Sequence, residues 1–304
     1  MIMIAGTLAW LFSLLGPDMP AQQPPPDRVT ILYDAFGKPS NLKRGWGYSA
    51  LVEYRGKRIL FDTGANLDDF AFNVKALGVD LSHLDFVVIT HRHGDHTSGL
   101  HQVLKVNPAV SIYTPVEGGY FDTPVPPALA ALIRRHVGTA PEDMHYYNGQ
   151  YPERIVSGSP WPGARFTQIR EPSEVMPGFW LFSTQSDNPG TRDMNEISMA
   201  MKTPQGLVLM VGCSHPGIEK ILDSASKIDS RMYTVFGGLH LADLNDSEVG
   251  SLVSRLHDQW KLERVGAGHC TGEFAFSEFN RVFGAKFDHA GVGAVIPLPA
   301  PGAF

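Results

Sequence analysis

The stretch Thr90-His91-Arg92-His93-Gly94-Asp95-His96-Thr97-Ser98-Gly99-Leu100 places three imidazoles and one carboxylate within the six residues from His91 to His96. Phe86-Val87-Val88-Ile89 precedes it, a short β-branched apolar run that reads as a buried strand. The four polar side chains therefore lie on the turn leaving a strand end, where a rigid element can hold them to the tolerance of a metal centre. Neutral imidazole nitrogen and carboxylate oxygen suit zinc and its first-row neighbours. His91 and His93 are two apart and can point the same way. Asp95 and His96 follow Gly94, which lets the backbone turn. One ion can take His91 and His93, and a second can take Asp95 and His96. A histidine-rich surface loop without metal is the plain alternative, and the apolar strand directly before the loop argues against it.

Outward from this loop, the delivering strand is expected over Asp85–Thr90 and a helix over Thr97–Lys105. Val29–Tyr33 reads as a first strand. Tyr48–Tyr54 and Lys57–Asp62 read as a hairpin turning at Arg55-Gly56. Leu67, Phe70, Val74 and Leu77 have helical spacing, with Asn66 as N-cap and Gly78 as stop. From Tyr113 to Trp161 the pattern weakens among prolines and aromatics, which suggests an inserted cap or lid. The second half is regular again. Strands are expected at Phe166–Ile169, Phe179–Phe182, Ile197–Met201, Leu207–Val211, Tyr233–Phe236, Arg264–Gly266 and Val292–Ile296. Helices are expected at Pro216–Lys227, Asp246–Gln259 and Glu273–Phe283. Two runs of strands with helices between them fit two mixed sheets packed face to face, an α/β architecture with outer helices.

The H-x-H-x-D-H loop after a strand resembles the signature of the metallo-β-lactamase superfamily. Lys57-Arg58-Ile59-Leu60-Phe61-Asp62-Thr63-Gly64 looks like that superfamily's strand ending in Asp-Thr-Gly. Three later segments resemble one branch of it: Gly212-Cys213-Ser214-His215-Pro216-Gly217-Ile218, Phe236-Gly237-Gly238-Leu239-His240-Leu241 and Gly268-His269-Cys270-Thr271-Gly272. That branch comprises the dihydropterin-type ribofuranosylaminobenzene phosphate synthases and related metal-dependent hydrolases. The likeness covers roughly residues 28 to 298. It implies an αββα sandwich, two divalent ions (zinc first, manganese or iron as alternatives) and a small-molecule substrate. It also implies that Asp62 buttresses the metal loop without being a ligand, and it supports His269 as a ligand of the second ion. The chain departs from the commonest pattern in one place. Asn188–Glu196 contains no histidine, and Cys213 occupies the position of the usual bridging aspartate. A thiolate can ligate zinc, so Cys213 is a candidate. His215 is the candidate for the missing nitrogen of the first ion, and Glu196 could supply an oxygen. His240, after two glycines at a strand end, is expected to be catalytic or substrate-binding, with Asp243 orienting it. His83, His101, His136, His145, His257 and His289 have no comparable context.

The chain has 304 residues, 43% of them hydrophobic, and a formal net charge of −6. A sizeable core is available, and no basic footprint for nucleic acid is present. Met1–Leu15 carries no charge and is followed by Gly16-Pro17 and a proline-rich run to Pro26. Residues 1–21 read as a secretory signal peptide and 22–27 as a linker before a domain over 28–304. Export to a periplasm or the medium is expected, a cytoplasmic location being the alternative. A membrane contact is expected only if that segment stays as an uncleaved anchor. The two cysteines, Cys213 and Cys270, form no disulfide framework.

These readings converge on a metal-dependent hydrolase that uses hydroxide generated on the metal against a phosphate-containing ester. Asp95 would bind a metal and orient the nucleophile, and His240 would serve the leaving group. The alternatives are a condensing synthase of the dihydropterin type, a lactonase or β-lactamase-type acyl hydrolase, and a non-enzymatic metal- or ligand-binding protein.

Overall fold

The computed structural model describes residues 26–117 and 163–301, together with Phe121, Pro141 and Trp161. The signal-like segment and most of the 113–161 insertion lie outside the described residues. Residues 113–115, at the start of the expected insertion, belong to a sheet strand. Asp27, expected in the linker, is already part of the fold. Its carboxylate accepts the Arg55 N–H at 2.6 Å and its carbonyl accepts the Leu298 N–H at 2.9 Å.

The first sheet holds seven strands in the order β14-β1-β2-β3-β4-β5-β6. These are β1 (Arg28–Tyr33), β2 (Ser49–Tyr54), β3 (Lys57–Phe61), β4 (Phe86–Val88), β5 (Ser111–Pro115), β6 (Arg165–Ile169) and β14 (Val295–Pro297). β14, β1, β2 and β3 are antiparallel, whereas β3 to β6 are parallel. The second sheet has the order β13-β12-β11-β10-β9-β8-β7. It comprises β7 (Ser173–Met176), β8 (Phe179–Gln185), β9 (Asn195–Thr203), β10 (Gly206–Val211), β11 (Met232–Gly238), β12 (Arg264–Gly268) and β13 (Phe287–His289). Here β10 to β13 are parallel and the rest antiparallel. Both sheets are thus mixed, as expected.

Strand periodicity sorts the side chains into layers. In β2, Ala50, Val52 and Tyr54 enter the core between the sheets, together with Val208 and Met210 of β10. Leu51 of β2 faces the other way, onto α1 (Leu67–Ala76) and α3 (Leu100–Val106). Leu207, Leu209 and Val211 of β10 face α4 (Ile218–Ser226), α5 (Asp246–Asp258) and α6 (Glu273–Phe283). The result is the αββα sandwich. α1 starts at Asn66, whose side chain accepts from Asp68 and Asp69 N–H, as the sequence suggests. α5 starts with a capping box between Asn245 and Glu248.

The helix expected over Thr97–Lys105 is broken into a single turn, α2 (Gly94–Thr97), and α3, with Ser98-Gly99 between them. Gly99 explains the break. A Cβ there would lie 2.2 Å from the Thr63 carbonyl oxygen, so the chain packs against the end of β3 at a distance that admits no side chain.

Candidate metal centre

The parallel strands β3, β4, β10, β11 and β12 bring their carboxyl ends together, and the segments leaving them carry the site. In open α/β sheets this edge is where ligands bind. Backbone strain collects there. Asp62, Ser214, His240 and His269 all have positive φ, from 49° to 64°, although none is glycine. Such conformations persist only where the surroundings enforce them, and they gather at functional sites.

Two groups of ligand-type atoms form. One is His91, His93 and His215, with ring centroids 4.7 to 4.9 Å apart. The other is Asp95, His96, Cys213 and His269. Within it, His96 Nε2 lies 3.1 Å from Cys213 Sγ and 3.2 Å from His269 Nε2, and Cys213 Sγ lies 3.1 Å from His269 Nε2. Asp95 Oδ2 is 3.5 Å from His269 Nε2 and 3.7 Å from His96 Nε2. A tetrahedron with bonds of about 2.0–2.3 Å has edges of roughly 3.3–3.8 Å. The second group nearly has that shape already. The groups are adjacent, since the His91 and His96 rings are 4.2 Å apart.

Neighbouring hydrogen bonds fix which nitrogen each histidine offers. Asp62 is fully buried; its Oδ1 accepts Thr90 N–H and its Oδ2 accepts the Thr90 hydroxyl and His96 Nδ1 at 2.7 Å. The Thr90 oxygen, having donated its proton, accepts from His91 Nδ1 at 2.9 Å. Glu196 Oε2 accepts from His215 Nδ1 at 2.9 Å. In each case the nitrogen left to face a metal is Nε2. For His91 that atom is buried with no hydrogen-bond partner. Burial holds His91 and His269 well below the ordinary imidazole range, and His93 below it, so these rings are neutral and able to bind a cation. Burial also acts against a protonated His96, yet the Asp62 carboxylate outweighs it and lifts that ring to about 9. Burial pushes the Cys213 thiol well up. Filling the second group therefore displaces protons. The donor set of imidazole, carboxylate and thiol fits divalent ions of the zinc type.

All seven ligand-type residues named from the sequence, His91, His93, Asp95, His96, Cys213, His215 and His269, meet here. Glu196 reaches the site in a different role from the ligand considered for it. Besides His215 Nδ1, its buried carboxylate accepts the N–H groups of Cys213, Ser214 and His215 at 2.7 to 3.0 Å. It thereby shapes the turn that presents both residues. His240 lies at the rim, its ring 4.7 Å from that of His215 and its side chain 37% exposed. Its Nε2 is 3.9 Å from Asp243 Oδ2, longer than a hydrogen bond. The Cys270 sulfur beside it raises its affinity for a proton against the effect of burial.

Two further residues carry no mark in the sequence. Asp34, fully buried just after β1, accepts the His269 N–H at 2.8 Å. Burial lifts its carboxyl to about 8, against the pull of the N–H groups it binds. A carboxylate following an apolar strand was the only available signal. Trp46 is 57% exposed, and its indole lies 5.1 Å from the His269 ring. A cavity of about 790 Å³ opens beside His215 and His240, lined also by Asn188, Ser214, Asp243 and Ser251. That is a small-molecule size.

The sequence profile of the metallo-β-lactamase superfamily matches residues 44–178. A 7,8-dihydropterin-6-methyl-4-(β-D-ribofuranosyl)-aminobenzene-5′-phosphate synthase of Methanocaldococcus jannaschii is 28% identical over 277 residues, covering 87% of this chain and 93% of its own. An uncharacterised protein of the same organism is 26% identical over 255 residues, covering 81% and 91%. Among solved structures, a metal-dependent hydrolase of the β-lactamase superfamily superposes with a TM-score of 0.65 at 23% identity, over 90% of this chain and 99% of its own. The short form of human tRNase Z superposes with 0.52 at 14% identity, over 90% and 99%. Fold, metal loop and profile agree: over residues 44–178 the chain matches the metallo-β-lactamase superfamily, and over most of its length it is similar to the dihydropterin-type synthase.

Proposed function

We propose that the chain is a hydrolase loaded with two divalent ions, zinc foremost, and that its substrate is a small phosphate-containing ester. The observation that carries this reading is the pair of adjacent ligand groups, His91/His93/His215 and Asp95/His96/Cys213/His269, with His215 of the first group lining a cavity of small-molecule size. His91, His93 and His215 would hold one ion and Asp95, His96, Cys213 and His269 the other, and the pair would supply an acidified water and neutralise charge on the reacting oxygens.

The protein's own groups supply the rest. The Asp95 side chain is 20% exposed, so its carboxylate is open to accept the proton of an attacking water. Asp62 and Glu196 hold His96 and His215 in one tautomer and orientation, work that outer carboxylates commonly do at metal sites. His240 faces the cavity and can donate from Nε2 to the leaving group or to an anionic end of the substrate.

The 28% identity with a synthase supports a second reading, in which the same centre activates a phosphorylated substrate for condensation rather than hydrolysis. Both are tested on metal-loaded protein offered aryl phosphate mono- and diesters, lactones, and a pterin alcohol with an aryl amine. Turnover of a phosphoester, abolished by chelation, is the expected result. Turnover of lactones alone, or pterin–amine coupling without any hydrolysis, would replace the phosphoester reading.

We further propose that the chain is exported. No helix among the described residues is long and apolar enough to cross a membrane. The uncharged apolar start and the proline run support removal of residues 1–21. The mass of the native protein should correspond to a chain beginning near Gln22. An intact Met1 on a soluble cytosolic species would refute export.

A further inference from the structure

We infer that Cys213, His240 and Cys270 form a third, sulfur-rich metal site, joined to the centre through Cys213. The placement follows from the sheet. β10, β11 and β12 are parallel neighbours ending at Val211, Gly238 and Gly268, with Val211 paired to Gly237 and Gly238 to Gly268. Cys213, His240 and Cys270 each lie two positions past those ends. The register of three strands therefore delivers two sulfurs and an imidazole to one place. Each offers a ligand atom within 4.8 Å of the other two.

The surrounding bonds hold the three segments together. The Ser214 hydroxyl donates to the Gly238 carbonyl at 2.8 Å, and Leu239 N–H donates to Thr271 Oγ1 at 3.1 Å. Leu241 and Ala242 N–H both donate to the Cys270 carbonyl, at 3.2 and 3.3 Å. Gly238 leaves the space open, since a Cβ there would lie 2.8 Å from Cys270 Sγ. The positive φ angles of Ser214, His240 and His269 fall on these same three segments.

Two observations favour ligation over simple packing of two buried thiols. His240 Nδ1 is buried with no hydrogen-bond partner, an expense that a bound cation offsets. The donor set is also specific. Two thiols and an imidazole, with a fourth position open, is a ligand count and type used for zinc, and soft ligands favour zinc or copper(I) over magnesium or calcium. An ion entering among donors that lie within 4.8 Å of one another would draw them together. Cys213 belongs to this set and to the Asp95/His96/His269 group alike. A thiolate there bridges two ions. With Nδ1 engaged, His240 Nε2 keeps its proton and holds the substrate's anionic end instead of protonating the leaving group.

The inference concerns ligation and stands whichever reaction the centre catalyses. The test is anaerobic titration of reduced, metal-free protein with cobalt(II), following near-ultraviolet sulfur-to-cobalt absorption and the number of ions bound. Cys270→Ser should lower the stoichiometry by one ion and remove about two-thirds of the sulfur band, since two of three sulfur–metal bonds are lost with that ion. His240→Gln, at a partly exposed side chain that the fold tolerates, should lose the same ion while Cys270 is intact. Unchanged stoichiometry in both variants would show that Cys270 only packs, and would overturn the inference. Absence of any sulfur-to-cobalt absorption in the unmodified protein would do the same.

Discussion

Replacing His91 and His93 together with alanine is expected to empty the first ligand group and abolish turnover. The group then keeps His215 alone, and one imidazole does not hold a divalent ion at micromolar supply. Stabilisation of the transition state by a metal ion amounts to several kcal/mol, so the rate should fall by about 10³ or more. The fold should survive. His91 Nε2 is buried without a partner in the metal-free protein and His93 is half-buried, so neither contributes a satisfied internal bond through Nε2 or packs in an apolar core. A cost of about 1–2 kcal/mol is in line with ordinary substitutions. It would appear as a shift of a few degrees in the unfolding temperature of metal-free protein. Elemental analysis decides the matter: unchanged metal content per chain would show that the first group is not a site.

The second large effect is expected at Glu196, a residue that touches no substrate. Hydrogen bonds from His215 and from three backbone N–H groups overturn the effect of burial and hold its carboxyl below the usual range, so it is ionised. Glu196→Gln keeps the volume but turns one oxygen into an NH₂ group. Facing His215 Nδ1, that group must donate, which forces the ring proton onto Nε2. The nitrogen aimed at the metal then becomes a donor and cannot ligate. Loss of such an outer carboxylate typically costs about 10–100-fold in metal affinity. Glu196→Ala is the harsher change. It leaves three buried N–H groups unpaired at about 1–3 kcal/mol each, a sum comparable with the whole stability of many domains. The glutamine variant should therefore fold and bind metal weakly, and the alanine variant should fold poorly. Equal metal affinity in Glu196→Gln and the unmodified chain would mean that His215 needs no such partner.

The metal loop was legible because its four side chains lie within six residues and follow a strand, so local spacing alone brings them together. His215, Cys213 and His269 were legible as strand-end residues, and the sequence assigns His215 to the first ion and His269 to the second, as the two groups have them. It leaves the place of Cys213 open, because which group a strand-end residue joins depends on how two sheets meet. Glu196 shows the same limit. Its strand was seen to lead to the site, yet its role is set by a turn seventeen residues later that folds back over its carboxylate. β5, β7 and β13 escaped detection for a different reason. Ser173-Glu174-Val175-Met176 and Phe287-Asp288-His289 are short and partly polar. They are strands because an existing sheet edge pairs with them, a case where tertiary context decides over propensity.

The centre draws its ligands from both halves of the chain, and that arrangement has a consequence for folding. His96 and His269 are 173 residues apart in sequence and stand at the ends of different sheets. An ion held between them works as a reversible staple across most of the domain. Like other clips that close long loops, it restricts the unfolded chain more than it adds contacts to the folded one. Because it binds only after both sheets have closed, the supply of metal sets how firmly the two halves stay together.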